Sequence, residues 1–150
     1  MKKGWILCGI FLLLLAGCKR ESGEPEQFYR VMTDYEELTA LLNAPKEDMV
    51  LLDLRDNRDY EKAHLTGSIN VPFDDEGTWL LQCVEEHSWK KNIIYLICAG
   101  GKRSAAAFNL LAEQGAPRIV YISFGYEEYI ESQGYETSEG AEVCDCYHKN

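Results

Sequence analysis

The sequence predicts an α/β domain, a parallel sheet with helices on both faces, on three observations. Met49–Leu54 (MVLLDL) and Ile93–Ile97 (IIYLI) are short, nearly unbroken apolar runs, as expected of strands buried on both faces of a parallel sheet. Segments with helical spacing lie between the runs. Glycine or proline closes several of these helices and strands: Pro45, Pro72, Gly115 and Gly134 each follow one.

Taken in order, Thr33-Asp34-Tyr35-Glu36 has capping-box spacing and is followed by Leu38, Leu41 and Leu42, which predicts a first helix ending before Pro45. The Met49–Leu54 strand follows, then a short helix or turn over 57–63. A second strand covers 68–71 and stops at Pro72. Residues 78–86 form a helix of weaker pattern, 92–97 the third strand, and 103–114 a helix closed by Gly115. A fourth strand, 118–122, and a helix over 126–133 complete the series. The domain is expected over 29–135, followed by an acidic, cysteine-containing tail over 136–150.

The first residues carry a different signal. Lys2 and Lys3 precede an apolar stretch from Trp5 to Ala16 that is shorter than the ~20 residues a spanning helix needs. It reads as the apolar core of a signal peptide, residues 1–17. Leu15-Ala16-Gly17-Cys18 resembles the lipobox of bacterial lipoproteins. That resemblance implies cleavage before Cys18, lipid on Cys18, and a membrane-anchored location on the extracytoplasmic side. Residues 18–28, polar with Gly and Pro, would then be a flexible tether.

The chain has 15 basic and 25 acidic residues, a formal charge of -10. Losing Lys2 and Lys3 with the signal peptide, and no acid, takes -10 to -12. Such a charge argues against nucleic acid as a partner and against an anionic lipid surface. Any cation near an active loop must therefore act locally.

The chemistry concentrates in Cys98-Ala99-Gly100-Gly101-Lys102-Arg103-Ser104, between a predicted strand and a predicted helix. A thiol at the strand end would face backbone N–H groups and a helix N-terminus. Such a cradle binds anions and lowers a thiol pKa, and the thiolate is the reactive form. Cys98 is the candidate nucleophile. The N–H groups of residues 99 to 103 would bind anionic sulfur, with Ala99, Gly100 and Gly101 shaping the loop and Lys102 and Arg103 supplying local charge. Ser104 reads as a hydrogen-bonding residue at the helix start.

Three segments in register make the chain resemble the rhodanese family of sulfurtransferases from about Tyr29 to Tyr135. They are Asp53-Leu54-Arg55 with Asp59-Tyr60 and His64-Leu65-Thr66-Gly67-Ser68-Ile69-Asn70-Val71-Pro72; the Cys98–Ser104 loop; and Val120-Tyr121-Ile122-Ser123-Phe124-Gly125-Tyr126. Ala63, Phe124 and Tyr129 depart from the family's usual Gly, Gly and Trp. The resemblance implies that Cys98 takes a sulfane sulfur from a donor such as thiosulfate and passes it to cyanide or a thiol, with no cofactor and no metal. Asp53, Arg55 and His64 are expected to be structural residues near the site.

Two rival activities remain on the sequence. Phosphatases and arsenate reductases of a related fold have a Cys-x5-Arg loop, whereas four residues separate Cys98 from Arg103 here. A thiol–disulfide redox role would fall to Cys144 and Cys146, but no Cys-x-x-Cys is present. Cys144, Cys146 and His148 are a weak metal signal. A Cys144–Cys146 disulfide, or a pairing of either with Cys83, is the more plausible chemistry in an exported chain.

Overall fold

A computed structural model describes residues 26–135 and 137–140. Its main sheet has five parallel strands in the order β1-β6-β5-β2-β4: β1 Phe28–Met32, β2 Met49–Asp53, β4 Ser68–Asn70, β5 Ile93–Ile97 and β6 Arg118–Ile122. The connecting helices are α1 Tyr35–Asn43, α2 Asn57–Lys62, α3 Thr78–Glu86, α4 Lys102–Glu113 and α5 Tyr126–Gln133. The α/β architecture expected from the sequence is the one observed.

The strand sequences explain why helices cover both faces. Successive side chains of a strand point to opposite sides of the sheet. Val50, Leu52 and Leu54, with Ile94 and Leu96, pack with Leu80, Val84, Ala107 and Leu111 of α3 and α4. Leu51, Tyr95, Ile97, Val120 and Ile122 pack with Leu38 and Leu41 of α1 and Tyr126 and Tyr129 of α5. An uninterrupted apolar run thus feeds two cores at once, each worth about 25 cal/mol per Å² of apolar surface removed from water.

Two strand features differ from the sequence reading. Strand β1 begins at Phe28, inside the stretch assigned to the tether, and runs along β6 with Phe28 opposite Arg118 and Met32 opposite Ile122. Its side chains are mostly exposed and only Met32 is buried, although Phe28, Tyr29, Val31 and Met32 are all apolar or aromatic, so the strand shows no alternation of apolar and polar residues. A second, two-stranded sheet pairs β3, His64–Leu65, antiparallel with β7, Thr137–Ser138. The first residues of the expected tail therefore return to the domain. The contact is reinforced by Thr66 Oγ1 to Ser138 Oγ at 2.7 Å and by Gly140 N–H donating to Glu61 O at 3.0 Å.

At the start of α1 the cap is Asp34 rather than Thr33: the Asp34 carboxylate accepts from Glu36 N–H at 2.8 Å. A carboxylate there also complements the positive end of the helix. Among the described residues no helix is long and apolar enough to cross a membrane. Cys18, Cys144, Cys146 and His148, on which the lipidation, tail-disulfide and metal readings rest, lie outside the described residues.

Candidate active site

In an open parallel sheet, ligands bind beyond the carboxyl ends of the strands. Here those ends are built around one ion pair. Asp53, the last residue of β2, is fully buried, and Arg55 is 4% exposed. Arg55 donates from Nε to both Asp53 oxygens at 3.0 Å and from Nη2 to Oδ2 at 2.7 Å. It also donates from Nη2 to Ala63 O at 2.8 Å, and its guanidinium lies 3.6 Å from the Tyr126 ring centroid. Asn70 Nδ2 donates to the carbonyls of Asp53 and Arg55, each at 2.8 Å. This brace ties the ends of β2 and β4 together.

His64 belongs to the same supporting layer. Its ring is buried and stacks on Tyr60 at 3.8 Å between centroids, with Nδ1 3.0 Å from Tyr60 O. Tyr60 hydroxyl in turn donates to Ser68 O at 2.5 Å. These contacts hold α2 against β3 and β4, an architectural placement.

Cys98 follows β5 directly and is 1% exposed. Its carbonyl accepts from Tyr126 N–H at 3.0 Å, which fixes the start of the loop against α5. Two glycines let the backbone fold this closely. A Cβ on Gly125 would stand 1.9 Å from Ala99 O, and Gly101, at φ +80°, would put one 2.2 Å from Ser123 O. Neither position tolerates a side chain without moving the loop. Gly101 precedes α4, so the loop delivers the cysteine to that helix's N-terminus.

The Cys98 thiol is subject to opposing influences. Burial pushes its pKa up, while the Ser104 hydroxyl and the N–H groups of Ser104, Gly100 and Arg103 pull it down. The hydrogen bonds win, and the pKa lies below the ordinary cysteine value. Of the N–H groups expected to form the cradle, those of Gly100 and Arg103 act on the sulfur. Ser104 joins them and was read from sequence only as a helix-start residue.

Ser104 is fully buried, and its Oγ meets no strict hydrogen-bond geometry among the described residues. A hydroxyl rotates, so an anionic sulfur beside it is the partner that satisfies it. Replacing Ser104 with alanine removes one charge-assisted donor, worth about 1.5–3 kcal/mol. The expected result is a higher Cys98 pKa, read from the pH dependence of alkylation, with Ser104→Thr close to wild type. An unchanged profile in Ser104→Ala would remove the hydroxyl from the cradle.

Lys102 opens α4 and is exposed. Arg103 is turned towards α2: its Nη1 lies 3.4 Å from Asp56 Oδ1. Cys83 is disulfide-bonded, and Cys98 is the free cysteine among the described residues. No group of His, Cys, Asp and Glu among them is placed to hold a metal ion.

A depression of about 200 Å³ lined by Arg55, Asp59, Lys62, Ala63, Tyr126 and Glu127 lies beside the brace. A larger one, about 400 Å³, is lined by Glu26, Gln27, Phe28 and Arg118. Phe28 and Arg118 begin β1 and β6, so this larger space is at the opposite edge of the sheet and holds no nucleophile.

A parallel α/β sheet that presents, among the described residues, one free cysteine in a glycine-bent N–H cradle defines a cysteine-loop domain. The chain belongs to the rhodanese-like domain family, whose model matches residues 34–132. The tRNA uridine(34) hydroxylase of Enterobacter sp. (strain 638) is 33% identical over 96 residues, 62% of this chain and 26% of that protein. The putative sulfur carrier protein YrkF of Bacillus subtilis (strain 168) is 29% identical over 86 residues, 55% of this chain and 42% of that protein. The chain thus spans less than half the length of these relatives. Among solved structures, the rhodanese-related protein of Thermoplasma volcanium superposes with a TM-score of 0.57 at 26% identity, covering 73% of this chain and 98% of that one. The thiosulfate sulfurtransferase of Pseudomonas aeruginosa gives 0.62 at 24% identity over 77% of this chain and 21% of that one, a likeness of fold.

Proposed function

We propose that the protein is a sulfurtransferase that carries sulfane sulfur on Cys98, tethered to a membrane through lipid on Cys18. One observation carries the catalytic reading: a free cysteine with a lowered pKa, 1% exposed, sits in a six-residue loop of N–H donors at a helix N-terminus. Membership of the rhodanese-like family supports it, as does a relative described as a putative sulfur carrier.

The chemistry balances on these residues. The Cys98 thiolate attacks the outer sulfur of thiosulfate; a new S–S bond forms, the donor S–S bond breaks, and sulfite leaves with the bonding pair. The persulfide anion takes the place of the thiolate among the Gly100, Arg103 and Ser104 donors. A thiol or cyanide acceptor then attacks the outer sulfur and releases the Cys98 thiolate. So deeply placed a cysteine is best approached by a narrow, protruding sulfur atom.

A phosphate monoester fits less well, because four residues between Cys98 and Arg103 leave a tighter loop than the five of Cys-x5-Arg enzymes. The tRNA relative does not transfer its substrate here: it shares a quarter of its length, and a chain of charge -10 repels a polyanion. Intact mass after exposure to thiosulfate should show one added sulfur, removable by cyanide, while a phosphate monoester is not measurably turned over. Phosphate release exceeding sulfur transfer would reverse the assignment.

The anchoring reading rests on Lys2, Lys3, the apolar stretch to Ala16 and Leu15-Ala16-Gly17-Cys18. In the native host the protein is expected in the membrane fraction with lipid on Cys18, and Cys18→Ala is expected to accumulate as unlipidated precursor. A single acyl chain holds only marginally, so stable retention requires more than one. Wild type recovered with residues 1–17 attached and Cys18 unmodified would overturn it.

A further inference from the structure

The ion pair between Arg103 and Asp56 bears on which sulfur donor the loop accepts. Arg103 is the arginine of the cysteine loop and the natural cation for a donor's anionic group. Its side chain is 31% exposed and lies 3.4 Å from Asp56, whose side chain is 74% exposed. Asp56 stands at the N-cap position of α2 yet makes no side-chain capping bond there. The neighbouring cation, Arg55, is committed to Asp53, Ala63 O and Tyr126. The Asp56 carboxylate is thus spent on Arg103.

We propose that Asp56 is a specificity-determining residue that occupies Arg103 and places a negative charge at the loop mouth, disfavouring dianionic donors such as thiosulfate relative to thiol persulfides. The proposal rests on the sulfurtransferase reading of Cys98 and deepens it by assigning a donor class.

Two physical effects point the same way. A sulfonate reaching Arg103 must displace a carboxylate already there, and an exposed pair of this kind is weak enough to be displaced but not free. The arriving dianion also meets the uncompensated charge of Asp56, with Asp74, Asp75 and Glu76 following β4 on the same edge of the sheet. Lys102, Arg58 and Lys62 are exposed cations on that edge, and Arg58 and Lys62 both approach Asp59, at 4.0 and 3.4 Å. A thiol persulfide brings at most one charge, on the sulfur that enters the cradle, and does not require Arg103. The transfer balances for both classes. Thiosulfate leaves sulfite. A persulfide RSSH leaves RSH, the proton passing from the outer to the inner sulfur as the donor S–S bond breaks and the Cys98 persulfide anion forms.

The test compares thiosulfate with the persulfide of 2-mercaptoethanol in wild type, Asp56→Asn and Asp56→Glu. Asp56 is exposed, so neither substitution disturbs the core. In Asp56→Asn the ratio of kcat/KM for thiosulfate to that for the persulfide is expected to rise about five-fold, through a lower KM for thiosulfate, as expected for one unit charge near a surface site. Asp56→Glu should keep the wild-type ratio, and the gain should shrink at high ionic strength. A change common to both donors would mean that Asp56 acts on Cys98 itself, and this, like an unchanged ratio, overturns the proposal. If wild-type Cys98 gains sulfur from neither donor, the sulfurtransferase reading fails and the donor assignment falls with it. Sulfur loading of wild type with an unchanged Asp56→Asn ratio removes the donor assignment alone.

Discussion

Cys98→Ser is expected to eliminate sulfur loading and sulfur transfer while leaving the fold intact. Serine matches the thiol in size, so the core around β5 keeps its packing, but a hydroxyl does not ionise near neutral pH or accept sulfane sulfur. In wild type, the Ser104 hydroxyl and the N–H groups of Ser104, Gly100 and Arg103 together outweigh the burial that raises the pKa, and the thiolate is favoured. The pH midpoint of Cys98 labelling by iodoacetamide should therefore lie below the free-cysteine value of ~8.5. Cys83, already in a disulfide, should label only after reduction.

The lowered pKa also has a stability signature. A folded-state pKa below the unfolded value means that folding releases a proton between the two. The resulting stability accrues as pH rises through the folded pKa, is complete above about 8.5, and is lost as pH falls. Wild type should gain on Cys98→Ser across that window in chemical denaturation. Retained transfer in Cys98→Ser, or an alkylation midpoint at or above the free value, would move the reactive centre elsewhere.

Asp53→Ala is expected to cost the most stability of any single substitution considered, about 3–5 kcal/mol. It strands the Arg55 guanidinium, 4% exposed, with only Ala63 O and the Tyr126 face for company. Total stability of a domain this size is about 5–15 kcal/mol, so a midpoint drop of more than ten degrees is expected. Asp53→Ala with Arg55→Met removes the uncompensated charge and should recover much of the loss. Activity of the folded fraction should fall as well, because Asp53, Arg55 and Tyr126 connect the end of β2 to the N–H that holds Cys98 O. A loss under about 1 kcal/mol in Asp53→Ala would show that the brace is dispensable.

The legible parts of this molecule are those whose physics is local. Apolar runs over 49–54 and 93–97 marked the strands observed at 49–53 and 93–97, and the 126–133 helix closed by Gly134 was readable to the residue. The Cys98–Ser104 stretch announced a thiol cradle because strand, glycine turn and helix start are contiguous. β1 was not legible. Its residues are mostly solvent-exposed, and its partner β6 lies about ninety positions away, so no periodicity records the pairing. The β3–β7 pair was hidden for a similar reason, since two-residue strands are too short to show an alternation.

At the site, the sequence by itself determined the candidate cysteine, the bend and the helix behind it, because these follow from neighbouring residues. Tertiary structure decided which donors face the sulfur. Ser104 contributes both its hydroxyl and its N–H only because the loop curls back over Cys98, and that curl depends on Gly125 packing against Ala99 O from another connection. The same holds for Arg103. Its charge was visible in the chain, but its engagement with Asp56, 47 positions away, exists because β2 and β5 are adjacent in the sheet. Hydrogen bonds and ion pairs between distant segments depend on orientation and distance in space, and a linear pattern of residue types carries neither.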